Sequence, residues 1–181
     1  MKKINLLSGD MTKIPVDIIV NAAHNSLMGG GGIDGVIHRS AGPELLNECL
    51  TLGGCETGEA KVTRGYKLPC KYIIHTVGPV WNIDELWNPV YIKAVKEEYS
   101  RLLRNCYTNS LKLVNDLHCE SISFPNISTG NYEFPKDLAA KIAIEEVTKW
   151  LDLDLETASI KTVNFVCFDQ ENYNIYLNLL K

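Results

Sequence analysis

No stretch of this chain approaches the roughly twenty consecutive apolar residues that a membrane-spanning helix requires. CxxC pairs are missing among its six cysteines (Cys49, Cys55, Cys70, Cys106, Cys119 and Cys167), and no histidine stands beside them at metal-ligand spacing. Such scattered positions do not suit a disulfide framework or a structural zinc site, so buried, reduced thiols are expected. Runs of Lys or Arg are missing too. With 18 basic residues against 22 acidic ones, the formal net charge of −4 carries no electrostatic footprint for nucleic acid or an anionic membrane. A single phosphate group held by backbone donors is still compatible with that balance. There is no internal repeat, low-complexity tract or linker. The N-terminal "MKKINLLSGD" begins like a signal peptide, but its apolar run stops at Leu7 and Asp10 follows. A soluble, cytoplasmic protein is the expectation.

What is present is ordinary globular composition: 181 residues, 45% hydrophobic and 22% charged, enough for one domain over residues 1–181 with a core of its own. Short apolar runs alternate with helical patterns. "INLL", "VDIIV", "AKVTRGY", "KYIIHTV", "SISFPNI" and "IKTVNFVCF" read as strands. "IDGVIHRSAG", "PELLNECL", residues 89–117, "PKDLAAKIAIEEVTKWL" and "ENYNIYLNLL" read as helices, three of them opened by a proline where a first turn tolerates one. The apolar strands are continuous rather than alternating, which predicts a sheet covered by helices on both faces. "GPVWNIDELWNPVY" is the least regular segment and is expected to form an exposed loop.

Four successive glycines, Gly29, Gly30, Gly31 and Gly32, separate the second strand from the first helix. Glycine lets the backbone come close to a ligand, and consecutive N–H groups at a helix start attract an anion. The run therefore reads as a phosphate-binding loop; a flexible surface loop is the plainer alternative. A P-loop is excluded because no Lys follows the glycines. Gly30, Gly32 and Gly35 match a dinucleotide fingerprint in the letter. Residues 21–28, however, intervene where that fold needs a tight turn, and no acid stands about twenty residues on at a strand end. Asp34 follows the glycines at the helix start, either as a helix-dipole acid or as a reactive carboxylate. His38, four residues on, shares its helix face and is placed to hydrogen-bond it.

"GDMTKIPVDIIVNAA", "GGGGIDGVIHRSAG", "TGEAKVTRGYKLPCKYIIHTVGP" and "FPNISTGNYEFP" together resemble the macrodomain, specifically the MacroD-type ADP-ribosyl hydrolases that include the bacterial O-acetyl-ADP-ribose deacetylases. The resemblance runs in order from Gly9 almost to the C-terminus. It implies a three-layer α/β/α fold with a mixed central sheet and an ADP-ribose cleft at the strand ends.

In that family pattern Asp10, with Met11 beside it, accepts the adenine amino group; a turn or cap role suits Asp10 as well. Gly29 to Gly32 with Ile33 match the first diphosphate loop, and Ser128, Thr129, Gly130, Asn131 and Tyr132 match the second. Phe168 falls where an aromatic stacks on adenine, although a core phenylalanine fits the same position. Asp34 corresponds to the principal catalytic acid residue, with His38 orienting it. Asn21 would hydrogen-bond a ribose hydroxyl or cap its strand. His24 stands where the family usually has asparagine. An imidazole can donate one hydrogen bond and accept another as an amide does, yet it also titrates near neutrality; a solvent-facing His24 with Asn25 in the polar role is the alternative.

The implied reaction is hydrolysis of an ester on the distal ribose, releasing a protein Asp or Glu carboxylate or acetate. No metal and no cofactor are implied, and the expected partners are ADP-ribose, its esters and mono-ADP-ribosylated proteins. A non-catalytic ADP-ribose reader is the contrasting possibility; a reader needs the glycines but not Asp34 and His38. A nucleotide-dependent oxidoreductase is weaker still, because nothing marks a nicotinamide pocket.

Overall fold

The computed structural model describes residues 3–153 and 159–181; Met1 and Lys2 of the leader-like segment lie outside them. Six strands, β1 (Lys3–Ser8), β2 (Ile18–Ala22), β3 (Ala60–Arg64), β4 (Tyr72–Thr76), β5 (Ser121–Phe124) and β6 (Thr162–Cys167), form one sheet. Five helices accompany it: α1 (Gly32–Ala41), α2 (Pro43–Thr51), α3 (Pro89–Asp116), α4 (Lys136–Asp152) and α5 (Gln170–Leu179). The strand order is β1-β6-β5-β2-β4-β3, parallel except for the antiparallel β3–β4 pair. Helices cover both faces, as the continuous apolar strands predicted, and the sheet is mixed, as the family resemblance implied.

Each sheet face is sealed by its own apolar cluster, because strands buried on both sides must present hydrophobic side chains in both directions. On one face Ile18, Val20, Ile74, Ile122 and Phe165 pack against α3, α4 and α5. A row of rings, Tyr107–Phe124–Phe165–Tyr176, runs through that layer with neighbouring centroids 5.0 to 6.3 Å apart. Truncating a ring such as Phe165 to alanine costs on the order of 3–5 kcal/mol. On the other face Ile19, Ile73 and Val166 meet Leu27 and, from α1 and α2, Ile37, Ala41, Leu45 and Cys49. Five of the six cysteines are buried, Cys70 is half-buried, and none is paired with another.

Several boundaries differ from the sequence reading, each for a local reason. Val16 and Asp17 precede β2 instead of opening it. The Asp17 carboxylate accepts the N–H groups of Glu120 (2.9 Å) and Ser121 (3.1 Å), so it clamps the start of β5. The strand expected over residues 121–127 stops at Phe124, since Pro125 has no N–H for the ladder. A 3₁₀ turn at Met11–Lys13, not foreseen, forms because the Asp10 carboxylate accepts the Thr12 N–H at 3.0 Å. The segment expected to be a loose loop is only partly so. Leu86 is 93% exposed, but the Trp81 N–H donates to the Tyr132 carbonyl at 2.8 Å and its ring packs edge-on against Phe134. Among the described residues no helix is long and apolar enough to cross a membrane.

Candidate active site

The C-terminal ends of β1, β6, β5 and β2 open on one edge of the sheet. From there β2 leads to α1 on one face while β5 leads to α4 on the other, so the chain diverges and leaves a crevice. A cleft of about 1060 Å³ fills that edge. Its wall comprises Gly9 to Met11 after β1, Ala22 to His24 at the end of β2 and Gly30 to Asp34 beyond it, Ser128 to Tyr132 after β5, and Phe168 and Asp169 after β6. Loops more than a hundred residues apart thus converge because parallel strands point their ends the same way.

The glycine run forms one lip. Gly29 and Gly32 have φ of +84° and +58°, a left-handed conformation that a side chain resists. Gly31 precedes α1 without any side-chain cap, which leaves the first-turn N–H groups of that helix free for an anion. The second loop closes from opposite: a Cβ on Gly31 would stand 3.3 Å from Asn131 Nδ2. Gly29 itself lies outside the cleft wall, packed over the His38 ring. Ser128 is buried at φ +65°, and its hydroxyl finds no partner among the described residues. Thr129 braces the same loop by donating to the Asn126 carbonyl at 3.2 Å. Tyr132 lies half-buried on the wall, where burial and then the Asp34 charge push its phenol above the ordinary tyrosine range.

At the far end Phe168 is 88% exposed, a flat ring beside the cleft and not a core residue. Asp10 takes the cap role open to it from sequence and keeps a place on the cleft wall. It caps the 3₁₀ turn, and it lines the cleft with its carboxyl held below the usual range, chiefly by the hydrogen bond from the Thr12 hydroxyl. Met11 is 2% exposed and its side chain belongs to the core, so only its backbone is left to face a ligand. Ile33 is half-buried at the lip.

Asp34 lies at the cleft floor, 3% exposed. Its Oδ1 accepts a hydrogen bond from Asn21 Nδ2 at 2.8 Å, and its Oδ2 accepts the His24 backbone N–H at 3.4 Å. His38 does come to Asp34, as the four-residue spacing required, but Nε2 stays 3.5 Å from Oδ1. That is longer than a hydrogen bond, and His38 Nε2 finds no hydrogen-bond partner among the described residues. Asn21 corrects a second expectation. It is fully buried behind Asp34, does not line the cleft, and supports the carboxylate instead of meeting a ribose. His24 is exposed on the wall, its Nδ1 accepting the Ser26 N–H at 3.3 Å; neighbouring Asn25 turns away to donate to the Cys55 carbonyl at 2.9 Å.

His75 was not singled out in sequence and proves to belong to this cluster. Parallel register places it directly opposite Asn21, and its Nδ1 stands 3.1 Å from Asn21 Nδ2 while its Nε2 stands 2.9 Å from the Thr63 hydroxyl. Burial, with a smaller push from His38, lowers its pKa to about 3, so the ring is neutral. His38, Cys49 and His75 bring donor atoms within 4.8 Å of one another. Both nitrogens of His75 are engaged in hydrogen bonds, and burial raises the Cys49 thiol to about 11. The trio packs beneath Asp34, behind the cleft. Arg39, Gly78, Asn126, Lys136 and Asn172 also line the cleft and were missed. Lys136 and Asn172 follow the β5 and β6 loops at helix starts, the only signal that marked them.

Fold and site together define an α/β protein with a glycine-lipped, nucleotide-sized cleft at the switch point of its sheet and a buried carboxylate at one end. The Macro domain family's sequence profile matches residues 20–143, and the chain belongs to that family. It is 44% identical to O-acetyl-ADP-ribose deacetylase 1 of Pantoea vagans over 99% of both chains. It is 46% identical to mouse (Mus musculus) ADP-ribose glycohydrolase MACROD2 over 97% of this chain and 34% of that one. The Trypanosoma brucei macrodomain crystallised with ADP-ribose superposes with a TM-score of 0.86 at 39% identity, covering 98% of this chain and 69% of that one.

Proposed function

We propose that this protein binds ADP-ribose and hydrolyses esters on its distal ribose, releasing ADP-ribose from protein Asp or Glu side chains and acetate from O-acetyl-ADP-ribose. The observation that carries this reading is Asp34: a nearly buried carboxylate at the cleft floor, fixed by Asn21 and the His24 backbone, immediately beside the uncapped glycine loop. A module that only bound ADP-ribose would have no use for a carboxylate held this way. The names borne by the Pantoea and mouse relatives support hydrolysis, and the trypanosomal complex supports the ligand.

In this reading the adenine stacks on Phe168 and donates its amino hydrogen to Asp10. The N–H groups of Gly30 to Gly32 and of the 128–132 loop clasp the diphosphate and hold the distal ribose over Asp34. Asp34 takes a proton from water as the water oxygen bonds to the ester carbon. Collapse of the tetrahedral adduct breaks the ester C–O bond, and the departing ribose oxygen recovers a proton from Asp34. The test is incubation of the full chain with mono-ADP-ribosylated protein and, separately, with O-acetyl-ADP-ribose. Release of ADP-ribose or acetate is expected. Tight ADP-ribose binding with no release from either substrate would establish a reader instead.

A further inference from the structure

Behind Asp34 runs a chain of hydrogen bonds whose direction follows from the Asn21 amide. The Asn21 amide nitrogen has two hydrogens and no acceptor capacity. One hydrogen goes to Asp34 Oδ1 at 2.8 Å and the other to His75 Nδ1 at 3.1 Å. The His75 ring must therefore carry its proton on Nε2, which stands 2.9 Å from the Thr63 hydroxyl; that hydroxyl in turn donates to the Arg64 carbonyl at 3.3 Å. Register builds the chain: His75 of β4 is directly opposite Asn21 of β2, and Thr63 is its diagonal neighbour on β3. The opposite imidazole tautomer would present an N–H to Asn21. The amide would then turn its oxygen inward and set it against Asp34, two acceptors face to face.

From this geometry we infer that His75 is a positioning residue: its neutral Nε2–H tautomer locks the Asn21 amide so that Asp34 is held in one orientation for the reaction. It touches neither cleft nor ligand and acts only through Asn21. The other groups around the ring are His38, 6.3 Å away between centroids, and Cys49, whose sulfur is 3.9 Å from Nε2. Neither offers the Asn21 amide an alternative partner. The inference rests on the hydrolase reading for its kinetic consequence but not for its tautomer.

Two measurements test it together. Nitrogen-15 NMR of the wild-type imidazoles should show one ring in the Nε2–H form across neutral pH, lost in His75→Leu; an Nδ1–H form would overturn the inference. In steady-state hydrolysis of O-acetyl-ADP-ribose, His75→Leu should lower kcat by about tenfold to a hundredfold, the cost of a reacting group displaced by about an ångström. KM and the calorimetric affinity for ADP-ribose should stay within about threefold of wild type, which also shows that the variant folds, because His75 has no part in ligand binding. His75→Asn, whose Oδ1 replaces Nδ1 as acceptor, should recover most of the lost kcat. An unchanged kcat in His75→Leu, or equal losses in the Leu and Asn variants, would overturn the role. If wild type releases no acetate, the hydrolase reading fails, and the NMR result alone decides for or against the His75 lock.

Discussion

Gly35 gives the sharpest test of the glycine loop. It is buried on α1, and a methyl group there would stand 2.4 Å from the Gly30 carbonyl oxygen, where ordinary contact begins at 3.4 Å. Gly35→Ala must therefore push the Gly30 peptide back by about 1 Å, the difference between those two distances. The nearby Arg39 Nη1, at 2.9 Å, is the end of a flexible side chain and moves aside at little cost. An N–H···O bond spans about 2.7–3.2 Å and is lost by about 3.6 Å, so a shift of this size removes at least one donor from the phosphate. A hydrogen bond to a charged group is worth about 1.5–3 kcal/mol, which corresponds to about a tenfold to hundredfold loss of affinity. Alanine is a better helix former than glycine by about 1 kcal/mol, but the 2.4 Å backbone contact overpacks the site at a cost of about 1–3 kcal/mol, so the melts should show a net loss of no more than about 2 kcal/mol. The assay is calorimetric titration with ADP-ribose beside thermal melts, with Ser40→Ala on the same helix as control. Gly35→Ala binding ADP-ribose within twofold of wild type would refute the claim that the close Gly30–Gly35 approach shapes the phosphate site.

Asp34→Ala should keep ADP-ribose affinity within a few-fold while turnover falls by about two orders of magnitude or more, the scale of a lost acid/base group; near-normal single-turnover rates would defeat the mechanism. Phe168→Ala should weaken ADP-ribose by about fivefold to a hundredfold, since an aromatic stacked on a base is worth about 1–3 kcal/mol, and calorimetry reads it directly. The buried His75 predicts a pH dependence of stability. Its folded pKa of about 3 lies below the ordinary 6.5, so the unfolded chain binds the extra proton and the stabilising contribution is complete above pH 6.5. It should decline by about 1.4 kcal/mol per unit as pH falls from there towards the folded value, and urea melts of His75→Asn should lack that part of the slope. His24→Asn keeps an acceptor for the Ser26 N–H, so turnover should stay within about threefold of wild type, whereas His24→Leu breaks that turn beside Asp34 and should lower it further.

The local elements were legible because their causes are local. Pro43 at the start of α2, the glycines before α1, and Asp34 with His38 one helical turn apart all follow from spacing and backbone chemistry within a few residues. Continuous apolar strands fixed the layering, since only a sheet buried on both faces calls for them. What the sequence left open was decided across the sheet. Phe168 suited both a core and a cleft position until the chain turned outward at the end of β6 and exposed it. Asn21 suited a ribose contact until α1 set Asp34 in front of it. His75, 54 residues from Asn21, carries no local mark at all; the β2–β4 register alone makes them neighbours. Periodicity reports which way a side chain faces, but the partner on that face depends on strand order and register, which are set by the packing of the whole sheet.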